Sequence, residues 1–351
     1  MAACARLMNN SFHLRLGCWL LALAGFLLPA RAALVNGHSY VPLAAWAAAN
    51  QFSITRNDRS DEFTLASRNT RLVFAKDSDI VTINGIRVVL AFPLAVDHGY
   101  PLISQLDLAK TIFPLAFPPH LNGHRLTTIC LDPGHGGKDT GYRFGSHNEK
   151  TYTLALAQDL HDQLVQAGFK VILTRTRDEY VDLPERPNLA NRAGADLFIS
   201  LHFNCSTVDA DHVQGPETYC ITPVGASSSN SQGEGADHGP AIANRVESKS
   251  LWFAYEIQRS LVKNLGVEDR EVRRARFAVL RDAEMPAILI ENGYMSHPVE
   301  GRKIFTAAYR HQLAAAIVRG VLNYQRLLYP VPSATMMATG VTPLPHKHYQ
   351  P

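Results

Sequence analysis

The 351-residue chain carries 46% hydrophobic and 19% charged residues, a composition that suits a globular fold with a buried core and excludes a disordered or fibrous chain. Lys and Arg outnumber Asp and Glu by 34 to 31, but Arg6, Arg15 and Arg31 fall in the first 32 residues without an acid, so the remainder is balanced at 31 of each. No lysine- and arginine-rich run marks a nucleic acid or an anionic lipid as partner.

Residues 1–32 read as a secretory signal peptide. Arg6 and Arg15 precede an apolar run over residues 18–28, and Ala30-Arg31-Ala32 supplies the small-x-small pattern of a cleavage site. The run is shorter than the ~20 residues of a membrane span, so no membrane anchor is expected after cleavage. The mature protein is expected in the periplasm or secreted. It keeps Cys130, Cys205 and Cys220. Cys130 lies inside an apolar run and reads as a small buried hydrophobe, whereas a Cys205–Cys220 bridge stays open.

Residues 33–117 have a distinct texture of short alternating runs (EFTLAS, RLVFA, DIVTING, IRVVLAFPLA) punctuated by Asn, Asp and Gly, which predicts small strands and hairpins. Two segments look alike: NGHSYVPL leading into AAWAAAN, and DHGYPLI leading into SQLDLAK. Each is a polar turn, an aromatic, a proline, an apolar pair and a short helix, a weak internal duplication. The arrangement resembles the small α+β module of copper amine oxidase N-terminal regions. His38 and His98 read as turn histidines, without a copper site. A Pro-rich stretch follows, and residues 118–125 read as the linker.

From residue 126 to 329 the pattern alternates strand and helix, which predicts a mixed, mostly parallel α/β sheet with helices on both faces. Three apolar runs end on residues with chemistry to offer: TTICLD before Pro133-Gly134-His135-Gly136-Gly137, ADLFISL before His202, and AILI before Glu291. Ligands of open α/β sheets bind outside the carboxyl ends of the strands, so His135, His202 and Glu291 can meet in one crevice. Glu149 opens an amphipathic helix with Leu156, Leu160 and Leu164 on one face, a position that also suits a carboxylate complementing the helix dipole. Two histidines plus a carboxylate leave one zinc position open for water, the catalytic arrangement. A carboxylate off the metal is then needed to move protons, and Glu291, at the end of an apolar strand, suits that task; its alternative is a salt bridge with an arginine of residues 270–281.

The motifs LDPGHGGKDTG, NEKTYTLALAQDL, VILTRTRDEYVDLPERPNLAN, ADLFISLHFN, GPETYCIT, FAVLRDAEMPAILIENGYMSHPVE and AAAIVRGV occur in this order over about two hundred residues. Together they resemble the zinc-dependent N-acetylmuramoyl-L-alanine amidases of the amidase 3 class. The resemblance implies Zn2+ as cofactor, His135, Glu149 and His202 as its ligands and Glu291 as catalytic acid/base. It implies hydrolysis of the amide between the lactyl group of N-acetylmuramic acid and L-alanine of the stem peptide. Peptidoglycan is then the partner, with room for a protein activator and none for nucleic acid. The alternatives are a peptidoglycan-binding protein with lapsed activity and a zinc peptidase acting within the stem peptide.

The chain departs from the family pattern at Arg270-Glu271-Val272, where Arg-Gly-Val is usual, and His147 is an extra candidate ligand. Residues 225–244 form a Gly/Ser-rich loop in which Glu234, or Glu247 just beyond it, is a candidate inhibitory ligand; a mobile lip is the plainer reading. Lys138 and the surrounding glycines lack P-loop spacing. Trp252, Phe253 and Tyr255 read as core. Residues 330–351, with His346 and His348, lack periodicity and read as a disordered tail.

Overall fold

The computed structural model describes residues 32–118, 125–230 and 239–329. The leader up to residue 31, most of the expected linker, Glu234 and the tail lie outside the described residues.

The two look-alike segments each fold as a hairpin feeding a helix. Strands β1 (Ala33–Val35) and β2 (His38–Pro42) turn at Asn36-Gly37 and lead into α1 (Leu43–Ala49). Between the two units lie β3 (Ser53–Asn57), β4 (Glu62–Ala66), β5 (Arg71–Ala75), β6 (Ile80–Ile83) and β7 (Ile86–Val89), an antiparallel meander. The second unit is β8 (Ala95–Asp97) and β9 (Tyr100–Ser104), turning at His98-Gly99, then α2 (Gln105–Asp107), a π turn and α3 (Phe113–Ala116). β2 and β9 pair antiparallel, so the repeats lie side by side in one four-stranded sheet. Ser104 caps the second helix by accepting the Asp107 N–H.

The next part begins with β10 (Thr128–Pro133) and the ribbon of β11 (Arg143–Phe144) and β12 (His147–Asn148). It continues through α4 (Glu149–Gln166), β13 (Lys170–Leu173), α5 (Glu185–Arg192), β14 (Leu197–Asn204), β15 (Glu217–Cys220), α6 (Glu247–Leu265), β16 (Val272–Arg274), α7 (Ala278–Arg281), β17 (Ala287–Tyr294), α8 (Glu300–Ile304) and α9 (Ala307–Leu328). Strands β13, β10, β14 and β17 are parallel neighbours, which brings the carboxyl ends of β10, β14 and β17 to one edge. All six residues of β10 are buried, as expected of a parallel strand covered on both faces.

Alternation along the strands sends Ile129, Leu131, Ile199, Leu201, Ile288 and Ile290 under α4, α6 and α9. Cys130, Phe198 and Leu289 face the other way, with Ala190 of α5 and Val279 and Leu280 of α7. Helices thus cover both faces, as the strand–helix alternation predicts. Trp252, Phe253 and Tyr255 are core residues of α6. No helix among the described residues is long and apolar enough to cross a membrane.

Sequence alone does not foresee how far the sheet extends. β16 pairs in parallel with β7, Val272 opposite Val88, and the meander continues the sheet to eleven strands in the order β13-β10-β14-β17-β15-β16-β7-β6-β5-β4-β3. Without β7, the outer edge of β16 would present unpaired backbone groups. The four-stranded sheet is separate; the meander is not.

Candidate active site

His135 leaves β10 in a turn whose backbone is unusual: φ is +62°, a left-handed conformation rare outside glycine. Arg186 holds that turn by donating to the carbonyl of His135 at 3.0 Å and to that of Pro133 at 3.1 Å. Arg175 donates to Pro133 and Gly134 carbonyls at 2.9 and 2.8 Å. Both arginines are almost fully buried beneath the turn, Arg186 paired with Asp132 at 2.8 Å.

Glu149 is the first residue of α4 and is 4% exposed. Its Oε2 lies 3.0 Å from His135 Nε2, and its Oε1 lies 3.1 Å from His202 Nδ1. The backbone N–H groups of Tyr142 and Phe203 donate to the same two oxygens at 2.9 and 3.1 Å. A carboxylate that merely complements a helix dipole would not need this aim. The two imidazole rings stand edge to face with centroids 4.8 Å apart.

His202 occupies β14 at a β-bulge spanning His202 and Asn204, a device that re-aims a side chain at a strand end. Glu291 is its register partner on β17. Glycine is required where the rings crowd. A Cβ on Gly134 would lie 2.3 Å from His202 Cε1, and one on Gly141 would lie 2.5 Å from Glu149 Oε2.

Each of His135, Glu149 and His202 offers a ligand atom, and these atoms lie within 4.8 Å of one another. The donor set fits a divalent metal. It combines two nitrogens and a carboxylate oxygen, opens onto a cleft, and has the outer support metal sites need, because His135 Nδ1 pairs with Asp139 Oδ2 at 2.9 Å. Burial opposes charge on His135, but the hydrogen bonds and charges of Glu149 and Asp139 outweigh it and raise its pKa. Burial likewise opposes charge on Glu149, and the two histidines reverse that and hold its carboxyl well below the usual range. Such an attraction between carboxylate and imidazole is what a shared cation would replace.

Glu291 is not part of this trio. Its Oε2 is sealed from solvent and has no hydrogen-bond partner among the described residues. Burial pushes its carboxyl well above the ordinary range, and the charges of Glu149 and Glu217 add to the rise. The expected alternative, a salt bridge to the nearby arginines, goes elsewhere. Arg270 and Arg273 pair with Glu217, each at 3.3 Å, and Glu217 is the register partner of Glu291 on β15. Tyr219 and Tyr294 each donate to Glu217 at 2.6 Å.

His135, Glu149, His202 and Glu291 all line one cleft of about 440 Å³, walled by Tyr142, Leu183, Phe277, Val279 and Leu289. The residues singled out in the sequence therefore converge. Asp139, Glu217 and the Asp132–Arg186 pair were not singled out; their roles depend on partners more than 40 residues away, except for Asp139, whose spacing of four from His135 was a readable signal.

Three alternatives left open by the sequence are not what the structure shows. His147 is not at the trio: its ring stacks on Phe305 at 3.8 Å and its Nδ1 pairs with the Tyr152 hydroxyl. Glu247 is no inhibitory ligand; at the start of α6 it binds Lys110 and accepts from Asn244 at 2.8 Å. Cys205 and Cys220 are free thiols, Cys220 buried in β15 and Cys205 at the cleft.

Residues 129–323 match the family described as N-acetylmuramoyl-L-alanine amidase. The chain belongs to that family. Among its relatives, the amidase LytC of Bacillus subtilis is 34% identical over 199 residues, 57% of this chain and 36% of its own length. The amidase AmiA of Escherichia coli is 31% identical over 246 residues, 63% of this chain and 84% of its own. The amidase AmiC of Neisseria meningitidis is 29% identical over 273 residues, 68% of this chain and 65% of its own. The chain thus spans about a third of LytC and less than two thirds of AmiC. A solved amidase, AmiC2 of Nostoc punctiforme, is 31% identical with a TM-score of 0.48, covering 57% of this chain and 98% of the other.

Proposed function

We propose that this family member hydrolyses peptidoglycan at the amide joining the lactyl group of N-acetylmuramic acid to L-alanine of the stem peptide, with zinc held by His135, Glu149 and His202. The observation that carries the reading is the placing of Glu149 between His135 Nε2 and His202 Nδ1 in the same cleft as Glu291. Relatives named N-acetylmuramoyl-L-alanine amidase support the substrate. Zinc bound by these three residues would supply a Lewis acid able to lower the pKa of a water and polarise a carbonyl.

The chain's own residues supply the rest. Asp139 fixes the orientation of the His135 ring, and the Tyr142 and Phe203 amides fix both oxygens of Glu149. Glu291 is the proton carrier: as the carboxylate it takes a proton from the attacking water, and as the acid so formed it gives that proton to the departing amine of L-alanine. Its lack of an arginine partner suits that exchange, because a carboxylate locked in an ion pair is a poor base. Leu183, Phe277, Val279 and Leu289 give the cleft apolar walls that keep bulk water from the reacting groups.

The reading extends to location and layout. We propose that the leader of residues 1–32 exports the chain to the periplasm or beyond, that residues 33–117 form an accessory module resembling the copper amine oxidase N-terminal one, and that residues 126–329 carry catalysis. A protein activator is compatible with this placement.

The test is digestion of purified peptidoglycan with and without chelator, with products read by mass spectrometry. Stem peptides bearing a free L-alanine amine, lost on chelation, are expected. Cleaved peptide bonds with the lactyl amide intact would instead show a stem peptidase, and binding without products a lapsed enzyme.

A further inference from the structure

Glu271 has a φ of +89°, in the left-handed region that disfavours a side chain. A glutamate persists in such a conformation only when its surroundings over-determine it. The surroundings come from the N-terminal meander. Arg87 Nη2 pairs with Glu271 Oε1 at 2.7 Å, and the Arg87 N–H donates to Asp269 Oδ2 at 2.8 Å. The other oxygen of Asp269 accepts the Glu271 N–H at 3.0 Å and Gln258 Nε2 at 2.8 Å. One residue further, Val272 sits opposite Val88 in the β7–β16 ladder.

The clasped segment is tied in turn to β15 and its glutamate. The carbonyl of Glu271 accepts the N–H of Thr218 on β15 at 3.2 Å. Arg270 and Arg273, on either side of residues 271 and 272, hold Glu217. Glu217 accepts from Tyr294, on the same strand as Glu291, and faces Glu291 in the ladder.

We propose that Arg87 is a positioning residue for the acid/base strand: by clasping Glu271 and, through Nη1 at 3.4 Å, the Asp269 carbonyl, its side chain fixes Arg270 and Arg273 on Glu217, and Glu217 fixes β17 where it carries Glu291. The meander is then a working part of the catalytic sheet. The kinetic half of this inference rests on the amidase reading; the structural half does not.

The full-length mature protein, Arg87→Ala and Arg87→Ala/Glu271→Gly are compared by hydrogen exchange over residues 269–274 and by kcat and KM on a muramoyl peptide. Arg87→Ala leaves a strained, buried glutamate with Arg273 alone, at 3.7 Å; it is expected to speed exchange there and to lower kcat about tenfold while KM stays within about twofold. Glycine at 271 removes both the carboxylate and the strain, so the double variant is expected to recover kcat and protection. Wild-type exchange and kcat in Arg87→Ala would overturn the proposal. So would faster exchange without a fall in kcat, which leaves a merely structural contact, or a double variant no better than the single. If the wild type releases no free L-alanine amine, the amidase reading fails, and recovery of protection in the double variant decides the clasp alone.

Discussion

Asp132 and Glu291 are carboxylates two strands apart in one sheet, and their surroundings are opposite. Asp132, fully buried at the end of β10, accepts from Thr174 Oγ1 at 2.6 Å, Ser200 Oγ at 2.7 Å and Arg186 Nη1 at 2.8 Å. Glu291, at the same edge of the sheet, has an oxygen with no partner, and the nearby arginines are held by Glu217. A buried carboxylate that is fully paired fixes structure, here the left-handed turn of His135. One that is left unpaired is free to change protonation, which is what proton transfer demands.

The comparison breaks most visibly at Arg186. Arg186→Ala leaves the Asp132 charge buried beside Thr174 and Ser200 alone and frees the His135 carbonyl, while the Pro133 carbonyl keeps Arg175. A loss of about 3–5 kcal/mol in unfolding free energy is expected by denaturant titration; a loss below about 1 kcal/mol, the worth of an exposed pair, would show the floor to be dispensable. Gly134→Ala drives a methyl into the His202 ring and is expected to cost about 1–3 kcal/mol, with loss of bound metal in elemental analysis. Retained metal would mean that the ring is not held as described.

Asp139→Ala removes the partner of His135 Nδ1 without touching a ligand atom. A weakening of metal binding by about 10–100-fold is expected in chelator competition, with little change in fold stability. The smallest effect is on the stability of Glu291→Gln, read in metal-free protein as a slope with pH. The folded-state pKa of Glu291 is raised, so its contribution to stability is full below the unfolded value and is lost as pH rises through the folded one. Glutamine does not titrate. The variant should therefore gain stability over the wild type as pH rises from acid to neutral, and a gap that shrinks with pH would contradict the unpaired state of Glu291.

The sequence showed strand ends well, because an apolar run breaking at Pro133-Gly134-His135 or at Glu291-Asn292-Gly293 is a local signal. His202 is placed as expected, and helices cover both faces as the alternation predicts. Glu149 was legible as a candidate ligand only through family resemblance; by position alone it equals any first-turn glutamate, and its aim at two histidines depends on the turn that carries Tyr142. Glu217 was passed over inside the quoted GPETYCIT, since nothing local says which of two neighbouring carboxylates the arginines choose. The joining of β7 to β16 was equally hidden. One pair of valines 184 positions apart decides it, and alternation along a strand marks its faces without naming its neighbours.

The central proposal is a division of labour in which His135, Glu149 and His202 would hold the metal and Glu291 would move the proton. The direct measurement is zinc content and muramoyl-L-alanine hydrolysis on one sample of Glu291→Gln beside the wild type. The account predicts equal zinc in both and turnover reduced by about 10²–10⁴-fold in the variant. Zinc lost together with turnover, or turnover kept at the wild-type rate, would contradict it.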